Sequence, residues 1–145
     1  MRAARGFTML ELLAVVAIVA VGTAAAALSL GSVQADALER EGERLAALLE
    51  AGRARSRVAG VPVIWRVEEG GFVFDGLPHG NADLPRHWLD ESVRVLEGEA
   101  PLTLGPDPII AAQGVTLLLG DEGGEVRSLR VATDGLHPFA VQRQP

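Results

Sequence analysis

From Leu12 to Leu30 the chain is built almost wholly of Ala, Val, Leu and Ile, and one carboxylate, Glu11, stands at the mouth of that run. A stretch this apolar has to be buried on every side, in lipid or in other protein. Between Phe7 and Gln34 Glu11 is the only charge, and as a helix that segment measures on the order of 40 Å, enough to cross a bilayer. Arg2 and Arg5 precede it, which places Met1 on the cytoplasmic side. With 145 residues in total, roughly the last hundred remain to build a folded core.

Three kinds of segment begin this way. A secretory signal peptide has a basic start, an apolar middle and small residues such as those at Ala24–Ala27 for cleavage. A plain single-span anchor has the same hydropathy. The third kind is a short leader followed by an assembly helix. Glu11 separates them. A carboxylate one turn into an apolar segment costs roughly 2.5–3.5 kcal/mol on insertion scales, and neither a signal peptide nor a plain anchor gains anything from it.

The segment Gly6-Phe7-Thr8-Met9-Leu10-Glu11-Leu12 resembles the prepilin peptidase site of type IV pilins and pseudopilins: a short basic leader ending in Gly, then Phe, then Glu as the fifth residue of the mature chain. The resemblance implies cleavage by prepilin peptidase between Gly6 and Phe7, and methylation of the new Phe7 amine. Cleavage removes Arg2 and Arg5 and creates a positive amine four residues from Glu11, a helical spacing that sets the two on one face. They can pair within one molecule. The family reading pairs Glu11 with the Phe7 amine of a neighbouring subunit, a register device because misaligned packing leaves a buried charge alone. The competing role for Glu11 is snorkelling to the membrane surface.

No proline occurs before Pro62, so one helix is expected from about Phe7 to about Ala59. Gly22, Gly31, Gly42 and Gly52 are candidate bends or points of close approach. After Gln34 the pattern turns amphipathic, with Leu38, Leu45, Leu48, Leu49 and Gly52 on one face. Charges are expected on the other faces, with Glu41–Arg44 and Glu50–Arg53 as pairs three apart. The trio Arg53, Arg55 and Arg57 reads as a solvated face. The expected organisation is therefore a leader over 1–6, a transmembrane and assembly half-helix over 7–33, an amphipathic half-helix over 34–60, and a β-rich head over 61–145.

Beyond Val61-Pro62 the signals are those of strands. Val63–Glu68 and Phe72–Asp75 flank a tight turn at Glu69-Gly70-Gly71. A loop from Gly76 to Pro85 leads to Trp88-Leu89 and to short strands at Val93–Leu96 and Leu102–Leu104; Gly105-Pro106-Asp107-Pro108 then breaks the chain. A second hairpin joins Val115–Leu119 to Val126–Ala132 across Asp121–Gly124, and a last strand lies near Phe139–Val141. The fold class is α+β: a pilin-like long N-terminal helix packed on a small antiparallel sheet or sandwich.

Parts of the head also resemble minor pseudopilins of type II secretion systems, of the H type: Gly60-Val61-Pro62-Val63-Ile64-Trp65-Arg66-Val67 with Gly71-Phe72-Val73-Phe74, Trp88-Leu89 with Val93-Arg94-Val95, and Leu129-Arg130-Val131 with Asp134-Gly135-Leu136 and Phe139-Ala140-Val141. The hairpin from Val115 to Gly124 departs from that pattern in lacking an aromatic and a proline. The resemblance implies a structural subunit, single-pass in the bacterial inner membrane with its head in the periplasm. Its implied partners are prepilin peptidase, other major and minor pseudopilins, the inner-membrane assembly platform and exported proteins. A minor pilin of a type IV pilus is the neighbouring alternative, and a membrane-anchored enzyme or binding domain is the distant one.

Other chemistries find little support. The net charge is −6, every basic side chain is Arg, and no basic stripe or aromatic platform suits a nucleic acid. Without cysteine there is no disulfide, zinc ribbon or thiol catalysis, and no G-x-S-x-G motif occurs. His79, His87 and His137 are scattered. Asp83, His87 and Asp90 have helical spacing, and Asp121, Glu122 and Glu125 surround a Gly-Gly turn of the acidic kind that calcium favours. A solvated turn and a hairpin turn account for both groups, so no catalytic residue, metal or cofactor is expected. Trp65 and Trp88 are expected in the core or at its edge.

Overall fold

The computed structural model describes residues 8–77, 84–120 and 126–142, with the side chains of 26–33 outside the description. The chain divides into two units, Met1–Gln34 and Ala35–Pro145.

In the first unit, the helix α1 (Met9–Ala59) begins behind Thr8. The Glu11 amide donates to the Thr8 hydroxyl at 3.3 Å and to the Thr8 carbonyl at 3.1 Å, and the Leu12 amide reaches the same carbonyl at 3.2 Å. Thr8 is thus an N-cap, satisfying donors that the first turn leaves without a helical partner. Further along, the Thr23 hydroxyl donates to the carbonyls of Val19 and Ala20, both at 3.0 Å. Folding its hydroxyl back onto the helix leaves an apolar exterior there. Among the described residues no helix is long and apolar enough to cross a membrane. Side chains of the apolar run are described only as far as Ala25, short of the roughly 20 residues that a span needs.

The second unit combines the rest of α1 with two antiparallel sheets. One has the order β2-β1-β4, from β1 (Ile64–Glu68), β2 (Gly71–Asp75) and β4 (Leu102–Thr103). The other runs β3-β5-β6-β7, from β3 (Val93–Val95), β5 (Gln113–Gly120), β6 (Val126–Thr133) and β7 (Ala140–Gln142). A helix followed by antiparallel sheets is the expected α+β class, and it is consistent with a pilin-like fold. Both hairpins fall where their turn residues put them, with Glu68 opposite Gly71 and Gly120 opposite Val126.

The core lies between helix and sheets. Leu38, Leu45 and Leu49 are buried with Val115, Leu117 and Leu119, which alternate inward along β5. Trp65, Phe72 and Trp88 form its aromatic part, with ring centroids 5.8 Å apart for Trp65–Phe72 and 4.6 Å for Phe72–Trp88. Of the candidate glycines, Gly42 and Gly52 are points of close approach. A β-carbon at Gly52 would stand 2.9 Å from Leu104 and 3.0 Å from Phe74, and one at Gly42 would run into Leu129. Gly22 has nothing near it, and Gly31 falls where side chains are not described.

Two expectations about charge are corrected. Arg53 is not part of a solvated face: it is 3% exposed. Glu41 does not point away from the core either, being 1% exposed. The face that carries Leu38, Leu45 and Leu49 meets loops as well as strands, and loops present backbone groups that need charged or polar partners.

Candidate assembly site and the clamps of the head

The first turns of α1 carry the only cluster of large apolar side chains that the described structure leaves almost wholly uncovered. Met9 is 83% exposed, and Leu10, Leu12, Leu13, Val15, Val16, Ile18, Val19 and Val21 are all exposed around the helix circumference. Singly exposed apolar residues are ordinary, but a contiguous sleeve marks a membrane or protein contact. Glu11 sits inside that sleeve, exposed, and among the described residues its carboxylate has no ion-pair partner. Gly6 and Phe7, the two processing positions, lie outside the described residues.

Sequence reasoning missed the cap. Thr8-Met9-Leu10-Glu11 fits the T-x-x-E pattern of a capping box, and that pattern was legible. The Thr8 half of it is seen in the hydrogen bond from the Glu11 amide. Glu11 therefore occupies the third helical position, where the partial positive charge of the helix start favours an anion.

In the head, the two expected pairs on α1 are present and each fastens a loop. The Glu41 carboxylate accepts from Arg44 at 2.7 Å and from the Leu89 amide at 2.7 Å, while Arg44 also donates to the His87 carbonyl at 3.0 Å. Nine residues on, Glu50 accepts from Arg53 at 3.4 Å and from the Phe139 amide at 3.0 Å. Arg53 donates to the carbonyls of Pro108 at 2.9 Å and Gly135 at 3.0 Å, and more distantly to that of His137. Two helix-borne pairs thus hold the segment around Trp88 and the approach to the last strand.

Two further carboxylates have displaced pKa values. Partial burial pushes the Glu99 carboxyl up, but hydrogen bonds from Arg130 and Thr116 together outweigh it and hold it below the usual range. Asp134 is held well below that range by the His137 amide, then by the His137 ring and the Leu136 amide. Both are turn and strand anchors at the surface.

Among the described residues no group of three or more His, Asp or Glu is placed to hold a metal. Of the residues weighed for one, His87 is exposed and its carbonyl is taken by Arg44. His79, Asp83, Asp121, Glu122 and Glu125 lie outside the described residues. Trp65 and Trp88 are core residues.

Residues 1–27 match the family profile described as the prokaryotic N-terminal methylation motif. No curated protein and no solved structure matches the chain. The motif is a prepilin-type signal of the kind carried by type IV pilins and pseudopilins. It supports a pilin-like protein that prepilin peptidase processes and that assembles with others of its kind.

Proposed function

We propose that this chain is a structural minor pseudopilin of the type II secretion system, of the H type. It is cleaved after Gly6, methylated on Phe7, and held in the inner membrane by the apolar run from Leu12 to Leu30, with its head in the periplasm. From there it joins the pseudopilus near the tip, beside other pseudopilins, and takes part in driving protein export. The observation that supports this reading best is Glu11: an exposed carboxylate with no ion-pair partner among the described residues, set in a sleeve of exposed apolar side chains. Such a helix is stable in lipid or among other helices, and Glu11 favours the second because an assembled neighbour brings it a cation. The role is one of assembly, with no chemistry of its own.

Mass spectrometry of protein extracted from membranes tests the processing step. The expected mature chain begins at methylated Phe7; a start at Met1, or one near Ala25 or Ala35, removes the basis of the proposal. Crosslinking in the native host then tests the system. Crosslinks to secretion pseudopilins are expected, whereas crosslinks confined to pilus subunits assign the chain to a type IV pilus.

A further inference from the structure

The two sheets of the head present open strand edges at one place. Neighbouring residues in an antiparallel pair alternate: one exchanges both amide bonds with its partner, and the next turns its N–H and C=O the other way. Glu68 and Gly71 close the β1–β2 hairpin as an exchanging pair, so Val67 turns its backbone groups away from β2. The Leu104 amide bonds the Val63 carbonyl, which confirms the phase, but β4 pairs only with Ile64 and Trp65 and stops short of Val67. On β3 the Leu96 amide bonds the Thr116 carbonyl, so Val95 turns its groups away from β5, and β3 is the last strand of its sheet. Val93 is capped locally, its amide by the Asp90 carbonyl and its carbonyl by Arg94. Val67 and Val95 have no backbone partner on those sides among the described residues.

Val67 and Val95 line the same two cavities, one of about 510 Å³ that reaches Trp88 and one of about 490 Å³ that reaches Leu96 and Pro101. Ile64, Val67 and Leu96 are exposed beside them. The rim is acidic. Arg66 is occupied by Glu68 and Asp75, and Arg94 by backbone carbonyls, while Glu69, Glu91 and Glu97 have no ion-pair partner among the described residues.

From the unpaired edges, the apolar walls and the unbalanced carboxylates together, we propose that this cleft binds an extended strand of another protein, with apolar and basic residues alternating. The strand pairs with Val67 on one side and Val95 on the other, making one sheet of the two by strand addition. Its arginines or lysines meet Glu69, Glu91 and Glu97, which sets polarity and gives binding a salt dependence. The inference is independent of how the N-terminus is processed.

Calorimetry on the full chain in a zwitterionic detergent tests it with a blocked hexapeptide of alternating Val and Arg. Saturable binding is expected. A Val/Glu hexapeptide is expected not to bind, and a Val/Arg peptide N-methylated along one edge is expected to bind at least tenfold more weakly. Val95→Pro removes an amide that β5 does not use, a substitution edge strands tolerate, and should weaken binding tenfold or more. Glu91→Gln with Glu97→Gln should weaken it severalfold and flatten its salt dependence. Absence of saturable binding overturns the proposal. So does equal affinity for the methylated peptide, which holds even where Val95→Pro unfolds the head, or equal affinity for the Val/Glu peptide.

Discussion

The described residues of α1 before Ala26 and those after Gln34 belong to one helix by hydrogen bonding, yet they solve opposite problems. In the first stretch the large side chains are exposed all round and the single charge has no ion-pair partner among the described residues. In the second, leucines pack inward and the buried charges Glu41 and Arg53 are each held by at least two partners. The lesson is where each charge finds its counterpart. In the head it is supplied within the chain, so the charge contributes to folding. At Glu11 no counterpart stands among the described residues, and the one proposed above is the amine of a neighbouring subunit, which would make the charge an assembly device. Substitutions at the two kinds of site should fail in different assays.

The largest effect is expected at Glu11. Glu11→Ala should be inserted and processed normally yet drop out of the filament, because the amine it would have met is left uncompensated. Breaking such a pair costs roughly 3–5 kcal/mol in protein interiors, a loss of more than a hundredfold in a contact. Crosslinking to neighbouring subunits measures this directly, and denaturant unfolding of the head should not change. Wild-type crosslinking would mean that Glu11 only snorkels, and the contrast between the two stretches would then be one of hydropathy alone.

Arg53 is the mirror case. Arg53→Met should destabilise the head by about 1–3 kcal/mol, since it takes the cation from half-buried Glu50 and the donor from the carbonyls of Pro108 and buried Gly135. Arg57→Met, on the exposed last turn, should stay within about 0.5 kcal/mol. Urea unfolding of the two variants separates the buried clamp from the solvated face that the Arg53, Arg55, Arg57 spacing suggested.

The glycines give a smaller and sign-changing version of the comparison. Ala in place of Gly gains up to about 1 kcal/mol of helix propensity. At Gly22, with open space around it, that gain should appear as raised helix stability in micelles. At Gly52 the new methyl meets Leu104 and Phe74, and overpacking of about 1–3 kcal/mol should exceed the gain and lower the unfolding midpoint of the head. A stabilised Gly52→Ala would mean that the helix can move off the sheet at little cost.

What the sequence made legible follows the same division. Period and turn chemistry act over a few residues, so the length of α1, both hairpins and the i,i+3 pairs could be read directly. The T-x-x-E cap at Thr8 is just as local and was readable in principle. The burial of Glu41 and Arg53 was not, because what surrounds them is backbone from Pro108, Gly135 and Leu89, some 50 to 80 residues away. The open edges at Val67 and Val95 depend on where β4 stops and on which residues of β3 face β5, a matter of register between distant strands. Glu11 stood out for the converse reason: its meaning lies in the apolar residues immediately beside it.

The smallest effect is expected at Glu99 and Arg130, which join β6 to the loop before β4 at the surface. The Glu99 pKa in the folded head is lowered from its ordinary value of 4.5. Its ionised form is therefore favoured by folding, and the stabilisation is present in full above the unfolded value. It is lost as pH falls through the folded one. Arg130→Gln removes the partner. At pH 7 the variant should be less stable by no more than about 1 kcal/mol, as for partly exposed pairs generally. The gap should narrow below about pH 4.5, as protonation takes the same interaction away from the wild type. Thermal unfolding of both proteins between pH 7 and pH 3 measures the gap. A constant difference across that range would show that Arg130 acts by packing its stem and not by pairing with Glu99.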